Sequence, residues 1–177
     1  MRPEEYLALR WSDLQGREVS VQQIVQFNRK GGGYYFDQPK TAKSRRRISI
    51  AEDLQRQLHR HRIDELGWRM RTKGMWLDLD LVFPNGIGRP ETLTNLRRRF
   101  FHPVLEQCGL ADRGLTLYSL RHTCATLLLL GGANPKTVAD RLGHSSVVLT
   151  LDTYSHVLPH IQAEATNILR NAMRKQA

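Results

Sequence analysis

The chain has 177 residues, enough for one domain with a sizeable core, and its 40% hydrophobic content is spread along the length, which excludes a disordered polyelectrolyte. No apolar run approaches the ~20 residues that span a bilayer, which argues against a membrane protein. Lysine and arginine number 27 against 17 acidic residues, a net charge of +10, and such an excess favours a polyanionic partner, with nucleic acid ahead of a membrane surface.

In chain order, residues 2–10 read as a helix leading to a turn at "WSDLQGRE", with Leu9 and Trp11 as core residues and Glu5 placed to pair with a nearby base. From 18 to 50 the pattern is that of strands. Val19, Val21, Val25 and Phe27 keep a two-residue period, and "GGG" at 31–33 breaks the run. "YYFDQ" makes a second strand and "RRISI" a third, in which Arg46, Ile48 and Ile50 share a face. The turn "PKTAKS" joins these last two. Beyond residue 50 helices are expected near 52–71, 91–108, 117–130, 135–142, 146–155 and 160–174, with one short extended piece, "LVFP", at 81–84. Asn134-Pro135 is a start signal and Gly143 a stop signal. The fold class is therefore mainly α with a small antiparallel β-sheet near the N-terminus. The N-terminus has no signal-peptide pattern, and a cytoplasmic protein is expected. Cys108 and Cys124 lack metal or redox spacing and read as reduced, mostly buried thiols.

Three stretches hold residue types suited to phosphate chemistry. In "LTLYSLRHTCATLLLLGG" a buried stripe of Leu117, Leu120, Cys124, Leu127 and Leu128 leaves Tyr118 and Arg121, three apart, as neighbours on one face of the first turn. An arginine there lies beside backbone N–H groups that welcome an anion. In "RLGHSSVVLTLDTYSH", Gly143 ends one helix and Ser145 or Ser146 caps the next. Val147, Leu151 and Tyr154 then share an inward face, so spacing alone makes Tyr154 a core aromatic with a hydrogen-bonded hydroxyl and His144 a corner residue. "MRPEEYLALRWSDLQ" places Arg2 ahead of a helix. The charge concentrates in "KTAKSRRR" and "LRRRF", where Lys43, Arg45, Arg97 and Arg98 are expected to contact backbone phosphates of DNA. His59 and His61 face different ways on a helix and make a poor metal pair, so no metal or other cofactor is expected.

Taken together and in order, R-P-x-E near "LALRWSD", "PKT" in a hairpin turn, "LRHTCAT", "LGHSS" and "TLDTYSH" resemble the catalytic domain of tyrosine recombinases, in particular phage-type integrases. The likeness extends from residue 1 to about 170. It implies a metal-free DNA strand transferase acting in site-specific recombination or integration. Arg2 and Arg121 match the two active-site arginines, Lys40 the hairpin lysine, His144 the histidine after the Leu-Gly turn, and Tyr154 the nucleophile. Tyr118 stands where the family usually carries histidine, and a supporting hydrogen bond to phosphate is expected of it. In such a site Arg2, Arg121 and Lys40 would favour the deprotonated phenol.

The resemblance further implies double-stranded DNA as partner and a homotetramer on paired sites, with the terminal helix, 160–177, docking on a neighbouring protomer. Family members carry further helices and a separate DNA-binding domain ahead of the first arginine, so the chain is expected to be an N-terminally truncated catalytic domain. A DNA-binding remnant that does not cleave, and a relaxing enzyme that nicks and reseals one strand, are the competing readings.

Overall fold

The computed structural model describes residues 1–28, 32–72, 74–155, 170 and 173, and it divides into two units, Met1–Leu117 and Tyr118–Ala177.

The first unit opens with one helical turn, α1 (Pro3–Tyr6), which Pro3 starts and Arg2 caps in an extended conformation. The helix expected over 2–10 stops here because extended pairing takes over. Val82 N–H donates to the Leu9 carbonyl at 2.7 Å, and Arg10 bridges Leu81 in antiparallel fashion. This draws Leu7, Ala8 and Leu9 into the interior. The strands follow: β1 (Leu14–Gln15), β2 (Glu18–Val21), β3 (Ile24–Phe27), β4 (Tyr34–Asp37) and β5 (Arg46–Ser49).

The strand region is antiparallel, as expected, and it is split into two ladders, β1-β2-β5 and β3-β4. The run read as one strand from Val19 to Phe27 therefore divides into β2 and β3. Val19 lies opposite Ile48 and Val21 opposite Arg46, so the inward face of β5 carries an arginine and an isoleucine, with the buried Ile50 just beyond the strand. Leu9, Val19, Ile50 and Val82 form one apolar cluster, with Trp11 packed against it. Leu7, Ala8 and Val25 form another, against which Tyr34, Phe36 and Leu96 pack.

Helix α2 (Glu52–Arg71) has no fully buried residue and attaches through its edge. His61 Nε2 lies 2.6 Å from the Val82 carbonyl, its ring packs near Trp11, Phe83 and Trp68, and the Trp11 indole N–H donates to Glu65 at 2.7 Å. The helix expected over 91–108 is found as α3 (Leu93–Leu96), a π-helical stretch (Arg97–Phe101) and α4 (His102–Gln107). Its interruption falls on the arginine run, and such widened turns are frequent at functional sites.

The second unit comprises nearly all of α5 (Leu117–Leu130), then α6 (Pro135–Leu142) and α7 (Val147–Thr153). Asn134 caps α6 and Ser146 caps α7, each side-chain oxygen accepting a backbone N–H two residues on. Gly143 closes α6 at φ 69°, a left-handed conformation that costs glycine little. The core is Ala125, Leu129, Val138, Leu142 and Tyr154.

The stripe expected on α5 is corrected accordingly: Leu120, Cys124 and Leu127 are exposed, while Ala125 and Leu129 are buried. The helix is apolar around most of its circumference, so spacing could not select a face, and Val138 and Leu142 of α6 select it instead. Cys108 is exposed like Cys124, contrary to the expected burial. The helix expected over 160–174 lies outside the described residues apart from Arg170 and Met173. Among the described residues no helix is long and apolar enough to cross a membrane.

Candidate active site

Arg2 and Lys40 belong to the first unit, and Tyr118, Arg121, His144 and Tyr154 to the second. In the first unit the organising group is Glu5, which is 2% exposed. Its carboxylate accepts the Arg2 backbone N–H at 2.7 Å, and the Arg2 guanidinium lies 3.4 Å away. Arg46 grips the same carboxylate with two donors at 3.0 and 2.8 Å. Burial alone would push the Glu5 carboxyl up, but the Arg46 hydrogen bonds and charge, with the Arg2 N–H, more than offset it and hold it below the ordinary carboxylate value. Arg46 also donates to the Ser44 carbonyl at 2.8 Å. One buried guanidinium therefore ties the start of α1, where Arg2 sits, to the turn that carries Lys40.

That turn is fastened just beyond the lysine, where the Thr41 and Ser44 hydroxyls lie 2.8 Å apart and Ser44 N–H donates to the Thr41 carbonyl at 3.0 Å. Lys40 itself is exposed, following the buried Pro39. Lys43 and Arg45 are exposed on the same turn, Arg45 donating to Gln38 at 3.4 Å, and Arg97 and Arg98 are exposed on the π-helical stretch.

In the second unit the remaining groups come from α5 (Tyr118 and Arg121), from the corner between α6 and α7 (His144) and from the end of α7 (Tyr154). Arg121, on α5, donates to the Leu142 carbonyl at 2.6 Å, so its guanidinium sits at the end of α6 and not over its own helix start. Tyr154 is 2% exposed, with its ring in the apolar cluster. Its hydroxyl lies 3.0 Å from His122 Nδ1, the ring centroids being 5.8 Å apart. His144 is buried, and its Nδ1 lies 2.8 Å from the hydroxyl of Thr150, which fixes the imidazole plane. Tyr118 is exposed on the first turn of α5.

Burial is the largest influence on the Tyr154 phenol and pushes its pKa up; the Arg121 charge lowers it, Cys124 raises it, and the net direction is up. Within this unit a single guanidinium does not outweigh desolvation, and the hydroxyl keeps its proton near neutrality. Among the described residues, no cluster of three or more His, Cys, Asp or Glu side chains suited to a metal ion is found.

Sequence reasoning passed over three residues of this arrangement. Arg46 had a readable signal, since it shares parity with Ile48 and Ile50 and must point inward. Thr150 and His122 had none, because their partners are separated from them in the chain and meet them only at the helical corner.

The model of the phage integrase family matches residues 1–160. The chain is 29% identical to a tyrosine recombinase XerC-like protein of Caldanaerobacter subterraneus subsp. tengcongensis, across 97% of this chain and 46% of that protein. It is also 29% identical to an integrase of Streptomyces ambofaciens, across 93% of this chain and 43% of the other. Its fold is that of the Tn1549 transposon integrase solved in complex with transposon right end DNA, with a TM-score of 0.71, 23% identity, and coverage of 96% of this chain and 55% of that one. The chain thus spans about half the length of the relatives it matches. With nearly its whole length matched, it belongs to the phage integrase family.

Proposed function

We propose that the chain cleaves and rejoins DNA strands through a 3′-phosphotyrosyl intermediate, as the catalytic part of a site-specific recombinase. The observation that carries this reading is in the second unit, where the buried Tyr154 phenol lies under the charge of Arg121, whose guanidinium is held at the Leu142 carbonyl two residues before the buried His144. Tyr154 is the nucleophile. Its oxygen attacks the phosphorus, and the bond to the 5′ oxygen breaks.

Arg2 and Arg121 bind the non-bridging oxygens with forked, permanently charged donors. A single donor aimed at developing charge is worth about 3 kcal/mol in such reactions. His144, held by Thr150, donates a further hydrogen bond, and Tyr118 supports it. Lys40, on its exposed turn, protonates the departing 5′ oxygen. The phosphotyrosyl bond conserves the energy of the broken linkage, so a second strand's 5′ hydroxyl rejoins without a nucleotide cofactor.

The partner is double-stranded DNA, tracked along its backbone by Lys43, Arg45, Arg97 and Arg98, and the working assembly is a homotetramer on two sites, with residues 160–177 docking on a neighbouring protomer. The proposed setting is the cytoplasm. Incubation with a nicked duplex whose short 5′ fragment diffuses away after cleavage tests the reading. A covalent protein–DNA adduct that disappears in Tyr154→Phe supports it, whereas DNA binding with no adduct at any salt concentration sinks it in favour of a non-cleaving remnant.

A further inference from the structure

We infer that His122 is the base that takes the proton from the Tyr154 hydroxyl as the phenol attacks; the inference rests on Tyr154 being the nucleophile. The imidazole Nδ1 lies 3.0 Å from the phenolic oxygen, within the range for direct proton transfer. His122 follows Arg121 directly on α5, so the helix that sets the guanidinium beside the phenol also sets the imidazole. Among the described residues, Arg121 and Cys124 also act on the phenol. A guanidinium has no lone pair to offer. A thiol must first lose its own proton, and an imidazole is the side chain whose ordinary titration range lies nearest neutrality.

The need for a base is also evident, because burial holds the proton on this phenol against the pull of Arg121. His122 is itself exposed, so a proton received on the buried side of its ring can be relayed to water from the other. In the resting state the phenol donates to Nδ1 and the ring proton sits on Nε2. During attack the O–H bond breaks as the O–P bond forms, the proton passes to Nδ1, and the electron pair of the broken P–O bond leaves on the 5′ oxygen, which is protonated by Lys40. In rejoining, the imidazolium returns its proton to the tyrosine oxygen.

The test compares the unaltered chain with His122→Asn and His122→Ala on the nicked duplex. Asparagine can occupy the Nδ1 position and form a hydrogen bond, but it cannot carry a proton. Both variants are expected to bind the duplex as before and to form adduct about 100-fold more slowly, the lower end of what general base catalysis contributes. Free imidazole is expected to restore part of the rate to His122→Ala, which no packing role for the ring would produce.

An adduct formed by His122→Asn as fast as by the unaltered chain overturns the inference while leaving the nucleophile intact. So does a loss in His122→Ala that imidazole does not relieve. If the unaltered chain forms no adduct, the cleavage reading fails first, and the long-range proton–nitrogen spectrum of His122 decides separately. A bare Nδ1 whose resonance moves in Tyr154→Phe supports the inference, and a protonated Nδ1 overturns it.

Discussion

The two units hold their polar groups by opposite means. In the first, a buried carboxylate is fixed by full charges: Arg46 through two short bonds and Arg2 through its backbone and guanidinium. In the second, a buried phenol and a buried imidazole are fixed by a histidine and a threonine hydroxyl, and Arg121 is held by a backbone carbonyl. The first arrangement is a permanent strut, whose breakage strands a charge in the interior. The second holds its phenolic oxygen protonated and can release it at the cost of one ordinary hydrogen bond. Under the proposed function, the arginine that binds phosphate profits from the strut, and the tyrosine that becomes the nucleophile profits from a neutral holder.

The largest effect expected on this contrast is that of Tyr154→Phe, which should abolish adduct formation while costing about 1 kcal/mol of stability, since only the bond to His122 is lost and the ring stays in its cluster. A fold that collapses on this change would put the tyrosine on the structural side of the comparison.

Next is Arg46→Ala, which leaves the Glu5 carboxylate without its main partner and should destabilise the protein by about 3–5 kcal/mol in denaturant unfolding. The same ion pair sets a pH dependence. The folded carboxyl value lies below the ordinary carboxylate value, so the contribution is full above that ordinary value and is lost as the pH falls through the folded value. Acid unfolding of Glu5→Gln should accordingly begin at a different pH from that of the unaltered chain; identical acid limbs would remove Glu5 as the titrating group.

Thr150→Val tests the neutral side. It removes the hydroxyl beside the buried His144 Nδ1 and should cost about 1–3 kcal/mol, less than Arg46→Ala. Should the two variants prove equally damaging, the distinction between a charged strut and a neutral corner fails.

Tyr154 titration supplies a finer reading. Its folded pKa is raised, so the stabilisation it brings is present below about pH 10, the ordinary phenol value, and is lost as the pH rises through the folded value. Phenolate absorbance, taken as the difference between the unaltered chain and Tyr154→Phe, should rise later than that of free tyrosine. The smallest effect is that of the surface cations. Alanine at Lys43, Arg45, Arg97 and Arg98 should flatten the dependence of log affinity on log salt by about 0.9 for each phosphate no longer neutralised, with sequence preference unchanged. A slope that stays put would assign these residues to solvent.

Local chemistry decides much of this fold independently of long-range pairing. Asn134-Pro135, Gly143 and Ser146 punctuate α6 and α7 because caps and left-handed glycine act over two or three residues, and the bounds of α2 and α5 agree with the helices expected over 52–71 and 117–130. Strand alternation likewise placed Arg46 on the inward face of β5, and the ordered motifs made Tyr154 and Arg121 candidates together. What spacing could not supply was any choice between equally apolar faces of α5, or the point where the helix at the N-terminus gives way to pairing with Leu81 and Val82. Nor could it show that Glu5 would meet Arg46, or Tyr154 meet His122, since those pairs are 41 and 32 residues apart. Hydrophobic pattern and capping are properties of a few neighbouring residues, and one sequence states them directly. The protonation of a buried phenol and the partner of a buried carboxylate depend on which surfaces exclude water, and that is settled only when distant segments pack.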